Sequence, residues 1–132
     1  MQLTLEDKYR TYYLLKSQLL KWFGNKQKFV VEITKYFPTE WGRYFGPFLE
    51  SDPILATVAP HNGIGSDTFK PLMEIWKMLK RKPKERVNWY AERRNKIGKE
   101  TKEEVYAKVL ASCNTSPNGA DFLFLTRSYY GG

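Results

Sequence analysis

The sequence predicts a mostly helical α/β protein in which residues 1–132 form a single domain. Two observations lead to this prediction. In residues 1–67, two short stretches typical of strands each follow a helical pattern, and this alternation is how an α/β sheet begins. In residues 68–132, apolar residues recur at helical spacing and strand patterns are absent. We therefore expect a small α/β portion followed by a helical portion.

Helical spacing of apolar residues predicts the first two elements of the α/β portion. Residues 5–22 carry an apolar stripe near the 3.6-residue period, and Thr4 is a candidate N-cap. Residues 26–36 carry a second stripe. Pro38 is expected to end this second helix, because proline lacks the backbone N–H that a helix interior needs.

Two strands and one short element complete this portion. The aromatic stretch at 43–45 is bounded by glycine and proline and predicts a buried strand. The segment PILATVAP, 53–60, lies between two prolines and predicts a short helix or turn. The segment NGIGSD, 62–67, predicts a second brief strand that ends at Asp67.

Apolar stripes also predict the helices of residues 68–132. The first stripe contains Phe69, Leu72, Met73, Trp76 and Leu79, the weaker second one Val87, Tyr90, Ala91 and Arg94, and the third Val105, Val109 and Cys113. Core packing is the expectation for Trp76. The Pro-Asn-Gly step at 117–119 predicts a turn into a last helix.

Composition and patterning exclude several classes of protein. No apolar run approaches the roughly 20 residues of a membrane-spanning helix, and charges within 6–10 interrupt any signal-peptide pattern. One cysteine, Cys113, and one histidine, His61, cannot form an internal disulfide or a four-ligand zinc site. We expect no metal, a structural or solvated His61, and a cytoplasmic location.

The positive charge of the chain is concentrated in its second half. Residues 1–66 carry 8 cationic and 6 acidic side chains, whereas residues 67–132 carry 14 and 8. A polyanionic partner bound in a salt-sensitive way would explain this asymmetry, and a solvated basic helix face would explain it equally well. Charge alone does not distinguish DNA from RNA or from an acidic protein.

Four motifs occur in a fixed order along most of residues 19–132. They are LKWFGNKQKF, YFGPFLESDPILATVAP, GSDTFKPLMEIW and NGADFLFLTRSYYGG. Together they resemble the amino-terminal part of the DNA adenine-N6 methyltransferases, the class that includes Dam. The resemblance implies a truncated, Rossmann-like methyltransferase start in residues 1–67 and a helical block of the DNA-recognition type in residues 68–132.

The resemblance also implies inherited positions for S-adenosylmethionine. Trp22 and Lys26 match the aromatic and basic positions of the first motif, and Phe48 matches the loop after the first strand. Asp67 matches the acidic end of the second strand, where a carboxylate would accept hydrogen bonds from the ribose hydroxyls. The turn before Lys26 would then direct its side chain toward a cofactor pocket.

The loop of the second motif departs from the family pattern, Glu-Pro-Phe-x-Gly-x-Gly. Gly46 stands at the acidic position, and Glu50 and Asp52 stand at the two glycine positions. Two carboxylates would repel an anionic part of the cofactor, and Pro53 removes a backbone donor. We therefore expect these cofactor positions to be defunct, so that no cofactor is bound.

The catalytic tetrapeptide of the family, Asp-Pro-Pro-Tyr, does not occur in the 132 residues. Without it, the geometry for methyl transfer to a flipped base is missing. We therefore assign no catalytic residue, and the chain by itself is not expected to methylate DNA.

The helical portion corresponds to the DNA-recognition insertion of the family. The candidate nucleic-acid or partner-binding residues are its cationic and aromatic side chains, Lys77, Lys80, Arg81, Lys82, Lys84, Arg86, Trp89, Tyr90, Arg93, Arg94, Arg127, Tyr129 and Tyr130. For Trp89 and Tyr90, base stacking and core packing are equally favoured.

Two functional interpretations remain. The favoured one is a catalytically inactive, methyltransferase-like binding or inhibitory module that acts on nucleic acid, DNA before RNA, or on a nucleic-acid-processing complex, as in phage anti-defence. The alternative is a subunit or fragment of a split S-adenosylmethionine-dependent DNA adenine-N6 methyltransferase. In both, two strands leave an open sheet edge, which a protein partner or self-association is expected to cover.

Overall fold

A computed structural model describes residues 4–7, 10–13, 20, 26–58 and 63–129. The chain divides into two compact units, Met1–Asp67 and Thr68–Gly132. The first contains short strands and helices, and the second is helical. The predicted fold class, α/β and mostly helical with two short parallel strands in the first unit, is confirmed.

The first unit begins with an antiparallel hairpin. Strand β1 (Thr4–Asp7) pairs with β2 (Arg10–Tyr13), with Leu5 opposite Tyr12. The prediction of a helix from residue 5 with Thr4 as its cap is therefore wrong here. The Thr-Tyr-Tyr run of β2 consists of residue types that favour strands, and this preference outweighs the helical spacing of the apolar residues.

The second predicted helix is present but short. A 3-10 turn, Gln27–Phe29, leads into α1 (Val30–Thr34). The helix ends before Pro38 because the backbone N–H groups of residues 35–37 bond to carbonyls three residues back. Such bonds tighten the last turn and close the helix.

A parallel strand pair follows at the two predicted places. The first strand is not buried as predicted, because Phe45 is 63% exposed. Strand β3 (Tyr44–Gly46) and strand β4 (Gly63–Gly65) pair with Phe45 opposite Ile64, and helix α2 (Pro53–Val58) lies between them in the chain. Among the described residues no third strand joins this sheet.

Helices α1 and α2 build the core of this unit. Val30, Ile54 and Val58 form a buried cluster, and Tyr44 packs against it. Two glycines bring residues 47–52 close to the strands: a Cβ at Gly65 would collide with the Leu49 side chain, and one at Gly46 would lie 2.7 Å from an Asp52 carboxylate oxygen.

The second unit consists of four helices. They are α3 (Lys70–Arg81), α4 (Pro83–Arg94), α5 (Lys102–Thr115) and α6 (Gly119–Ser128). Helix α6 contacts the other three. No helix in the described part of the chain is both long and apolar enough to cross a membrane.

The core of the second unit follows the predicted stripes in part. Val105, Val109 and Cys113 are buried as predicted, and they pack with Phe124 and Leu125 of α6. On α3, Leu72 is buried, but the next inward residue is Ile75, and Trp76 is only half-buried. The weak α4 stripe fails at Val87, whose side chain is mostly exposed.

Capping residues set the helix starts in this unit. Thr101 and Glu104 form a reciprocal capping box at α5. Asn118 caps α6 by accepting from the Asp121 backbone N–H, which confirms the predicted turn at 117–119.

Candidate cofactor loop and nucleic-acid interface

The structure places Lys26 beside the altered loop. Its Nζ lies 3.5 Å from Glu50 Oε2, and the two side chains are 49% and 34% exposed. An ion pair this accessible to water contributes at most about 1 kcal/mol. Its importance is positional, because it brings the first motif and the second-motif loop together.

Asp67 meets the same loop from the end of β4. Its Oδ2 accepts a long hydrogen bond, 3.4 Å, from the Glu50 backbone N–H. Backbone bonds from Leu49 to Ser66 and from Ser66 to Gly46 hold the loop against the strand ends. Lys26, Glu50 and Asp67 are thus gathered at one place.

The other predicted cofactor positions behave differently. Phe48 belongs to the loop, but its side chain is 78% exposed. Trp22 lies outside the described residues, as does His61.

The backbone at Glu50 has the conformation of a glycine. Its φ is +44°, in the left-handed region, which costs a residue with a Cβ on the order of 1 kcal/mol or more. The loop therefore keeps a glycine-like bend at a position where the sequence supplies a carboxylate.

Asp52 is buried and caps helix α2. Its Oδ1 accepts from the backbone N–H groups of Ile54 and Leu55, at 3.1 and 2.9 Å. Burial raises the pKa of Asp52 and outweighs these two bonds and the attraction of Lys26, which lower it. Burial and the nearby Asp52 carboxylate also raise the pKa of the Tyr44 hydroxyl.

Helix α3 presents a cationic face away from its buried side. Successive residues turn by about 100° around a helix, so Lys77 and Arg81 lie roughly opposite Leu72 and Ile75, and Lys80 lies at the edge of that face. All three cations are exposed, and none forms an ion pair with a described residue.

The predicted α4 cations divide into unpaired and paired ones. Lys84 and Arg94 are exposed and form no ion pair within the described part of the chain. Lys82 pairs at 3.0 Å with Glu85 at the surface. Arg93 is only 17% exposed, and its Nη2 lies 2.6 Å from Asp121 Oδ1.

Asp121 is the centre of a buried network that the sequence analysis missed. It accepts from Arg93 Nε at 2.7 Å, from Ser112 Oγ at 2.7 Å and from Asn118 Nδ2 at 2.9 Å. Burial alone would raise the pKa of Asp121, but these hydrogen bonds outweigh it and hold the pKa below its usual value. An Asn followed three residues later by Asp, at a helix start, was the available signal.

Two of the remaining predicted residues, Arg127 and Tyr90, contact each other. The Arg127 guanidinium lies 5.7 Å from the centre of the Tyr90 ring. Tyr90 and Trp89 are both half-buried, and Tyr129 is mostly exposed. Tyr130 lies outside the described residues.

One of three comparisons with known proteins found a match. The family model for the D12 class N6 adenine-specific DNA methyltransferases matches residues 22–132. No curated protein and no solved structure was found to match the chain. Within the described residues, no group of three or more His, Cys, Asp or Glu side chains could hold a metal ion. Because the match covers far more than half of its length, the chain belongs to the family of D12 class N6 adenine-specific DNA methyltransferases.

Proposed function

We propose that this chain binds duplex DNA through the outward cations of its helical unit and does so without holding S-adenosylmethionine. The observation that carries the proposal is the unbalanced surface of α3 and α4. Lys77, Lys80, Arg81, Lys84 and Arg94 are exposed cations without an ion-pair partner among the described residues. Membership of a DNA methyltransferase family makes DNA the expected polyanion.

Several acidic residues of the same unit are engaged by contacts within the unit and do not face these cations. Glu74 accepts from the Gly119 backbone N–H at 2.6 Å. Glu104 belongs to the α5 capping box, Asp121 holds Arg93, and Glu85 pairs with Lys82. A surface on which unpaired cations outnumber the exposed acids attracts phosphates, and each contact releases counterions from DNA.

The altered loop does not fit S-adenosylmethionine. The methionine part of this cofactor carries a carboxylate, for which the Lys26 ammonium would be the nearest counter-charge, and Glu50 already takes that place. The buried Asp52 adds a second carboxylate to the same loop. The carboxylate of the cofactor would be repelled there. Its ammonium and sulfonium groups would not be, so the poor fit depends equally on the bulk of Glu50 and Asp52 at the two positions where the family has glycine. We propose no methyl transfer by this chain.

Binding without modification would make the chain an inhibitory module. A protein that occupies DNA without methylating it competes with nucleic-acid-processing complexes for the same duplex. This role follows from the proposed binding and depends on it.

One observation favours the alternative, a subunit or fragment of a split DNA adenine-N6 methyltransferase. Lys26, Glu50 and Asp67 still converge, and Glu50 keeps a glycine-like φ. A pocket of this architecture would regain its shape if the two loop carboxylates were removed.

The binding test is a fluorescence-anisotropy titration of labelled duplex DNA at about 50 and 200 mM salt. We expect salt-sensitive binding that weakens about tenfold or more when Lys77, Lys80 and Arg81 are replaced by Gln, with a salt slope smaller by about 2 to 3. The control replaces three exposed cations of the first unit, Lys28, Lys35 and Arg43, by Gln and removes the same charge. Equal losses in both variants would reject the α3 surface as the interface.

The cofactor test is calorimetric titration with S-adenosylmethionine. We expect no binding to the wild type and measurable binding to the double variant Glu50→Gly/Asp52→Gly. Binding to the wild type would overturn the proposed cofactor-free function and favour the split enzyme. Circular dichroism of the double variant checks that α2 survives the loss of its cap.

A further inference from the structure

Helices α4 and α6 pair along one interface whose two ends differ in charge. At one end, Arg93 of α4 forms its ion pair with Asp121 of α6. In the middle, Tyr90 packs against Phe124, with ring centres 5.8 Å apart. About one turn beyond the Tyr90–Phe124 pair, Arg86 and Arg127 line a shared cleft. Arg86 precedes Tyr90 on α4, and Arg127 follows Phe124 on α6. The contact that is a salt bridge at one end is thus replaced by two like charges at the other.

The cleft at this second end is small and has an apolar floor. Its volume is about 190 Å³, and Val87, Tyr90 and Leu123 line it together with the two arginines. Neither arginine forms an ion pair with a residue that the structure describes. Two guanidinium groups beside one cleft repel each other, and an anion between them would remove that repulsion.

Arg127 is already held in a defined orientation. Its guanidinium lies over one side of the Tyr90 ring, and Phe124 packs against the same ring. A guanidinium fixed in this way loses little further freedom on binding, and its plane can stack on a nucleobase while its edge donates to phosphate.

We propose that this cleft holds one unpaired nucleotide of a bound DNA. The base stacks on Arg127 above the Tyr90 ring, Val87 and Leu123 contact its edge, and the adjoining phosphate lies between Arg127 and Arg86. A phosphate alone would leave the apolar floor unused, and a base alone would leave the two like charges uncompensated. A nucleotide satisfies both. The inference rests on the proposed DNA binding and names a second, structure-selective contact within it.

The test compares a labelled perfect duplex with the same duplex carrying one extrahelical nucleotide. Stacking of one base contributes enough for a preference of about fivefold or more, so we expect the wild type to bind the bulged duplex that much more tightly. Arg127→Gln and Tyr90→Leu should each reduce the preference to about one. Leucine keeps apolar volume against Phe124, and Arg127 is exposed, so at least the Arg127 variant should fold.

Arg94→Gln is the control, because Arg94 is an exposed α4 cation that does not line the cleft. It should retain the preference for the bulged duplex. A wild type that binds both duplexes equally overturns this inference and leaves the proposed function standing. A preference that survives Arg127→Gln also overturns it, since Arg127 would then be only one more phosphate contact. Failure to bind either duplex overturns both.

Discussion

Two buried aspartates, one in each unit, stand near helix starts but have different partners. Among the described residues, Asp52 accepts from the two backbone N–H groups that it caps in α2. Asp121 accepts from the Asn118 and Ser112 side chains and from the Arg93 guanidinium. Burial raises the pKa of Asp52, whereas in Asp121 the donors outweigh burial and the pKa is lowered.

The two units also differ in the partners that their acidic side chains have. In the helical unit the acids Glu74, Glu104 and Asp121 each accept hydrogen bonds from donors within the unit. In the first unit Glu50 and Asp52 lie in the same loop and have Lys26 as their nearby cation. The two units thus satisfy their buried aspartates differently, with backbone donors in the first and side-chain donors in the second.

The largest expected effect concerns the Asp121 network. Asp121→Ala should lower the free energy of unfolding by about 3 kcal/mol, at the lower end of the range for a broken buried ion pair. The reason is that Arg93, only 17% exposed, would be left without its carboxylate. Urea denaturation followed by circular dichroism measures this loss.

The control for this prediction is Glu92→Gln. Glu92 also lies near Arg93, with its Oε2 3.9 Å from Nη1, but its side chain is 70% exposed. Its replacement should cost less than about 0.5 kcal/mol. Similar losses in the two variants would show that Arg93 does not depend on the buried partner.

Local patterns were sufficient for most of the fold. The parallel strands β3 and β4 lie within the predicted 43–45 and 62–67 regions to one residue, because glycine and proline mark their ends. The stripe Val105–Val109–Cys113 is buried because a regular 3.6-residue period leaves one face to pack. In β1 and β2, by contrast, the residue types favour strands and the apolar spacing favours a helix, so the helix predicted from the spacing was wrong.

The candidate sites depend on contacts that no local pattern reveals. Arg93 was predicted as a nucleic-acid or partner-binding residue, but it pairs with Asp121, which lies 28 residues away and is brought near by the packing of α4 on α6. The convergence of Lys26 and Asp67 at the altered loop followed from the resemblance. The positive φ of Glu50 could not be predicted, because glutamate rarely adopts such a φ.

The second prediction uses the opposite pKa shifts. Because the pKa of Asp52 is raised on folding, its stabilising contribution is present below the unfolded pKa of about 3.9 and is lost as pH rises through the folded pKa. Asp52→Asn keeps the cap and removes the titration. Relative to this variant, the wild type should lose stability, about 1 kcal/mol or less, as pH rises from about 4 toward 7.

Asp121 should give the opposite sign in the same urea series. Its lowered pKa means a contribution that is present above about pH 3.9 and is lost as pH falls through the folded pKa. The gap between wild type and Asp121→Asn should therefore narrow on acidification. If the stability difference from wild type changed with pH in the same direction for both Asn variants, folding would not shift the two carboxyl pKa values in opposite directions.

The smallest expected effect isolates the backbone at Glu50. Glu50→Gln and Glu50→Gly both remove the ion pair with Lys26, but only glycine relieves the left-handed φ of +44°. The glycine variant should therefore be more stable than the glutamine variant by about 0.5 to 1 kcal/mol in urea denaturation. Because both variants lose the same charge, the loss of the ion pair cannot account for a difference in stability between them. A glutamine variant as stable as the glycine variant would mean that the loop rearranges to relieve the strain at residue 50. The glycine-like bend at Glu50 would then no longer favour the split-enzyme alternative.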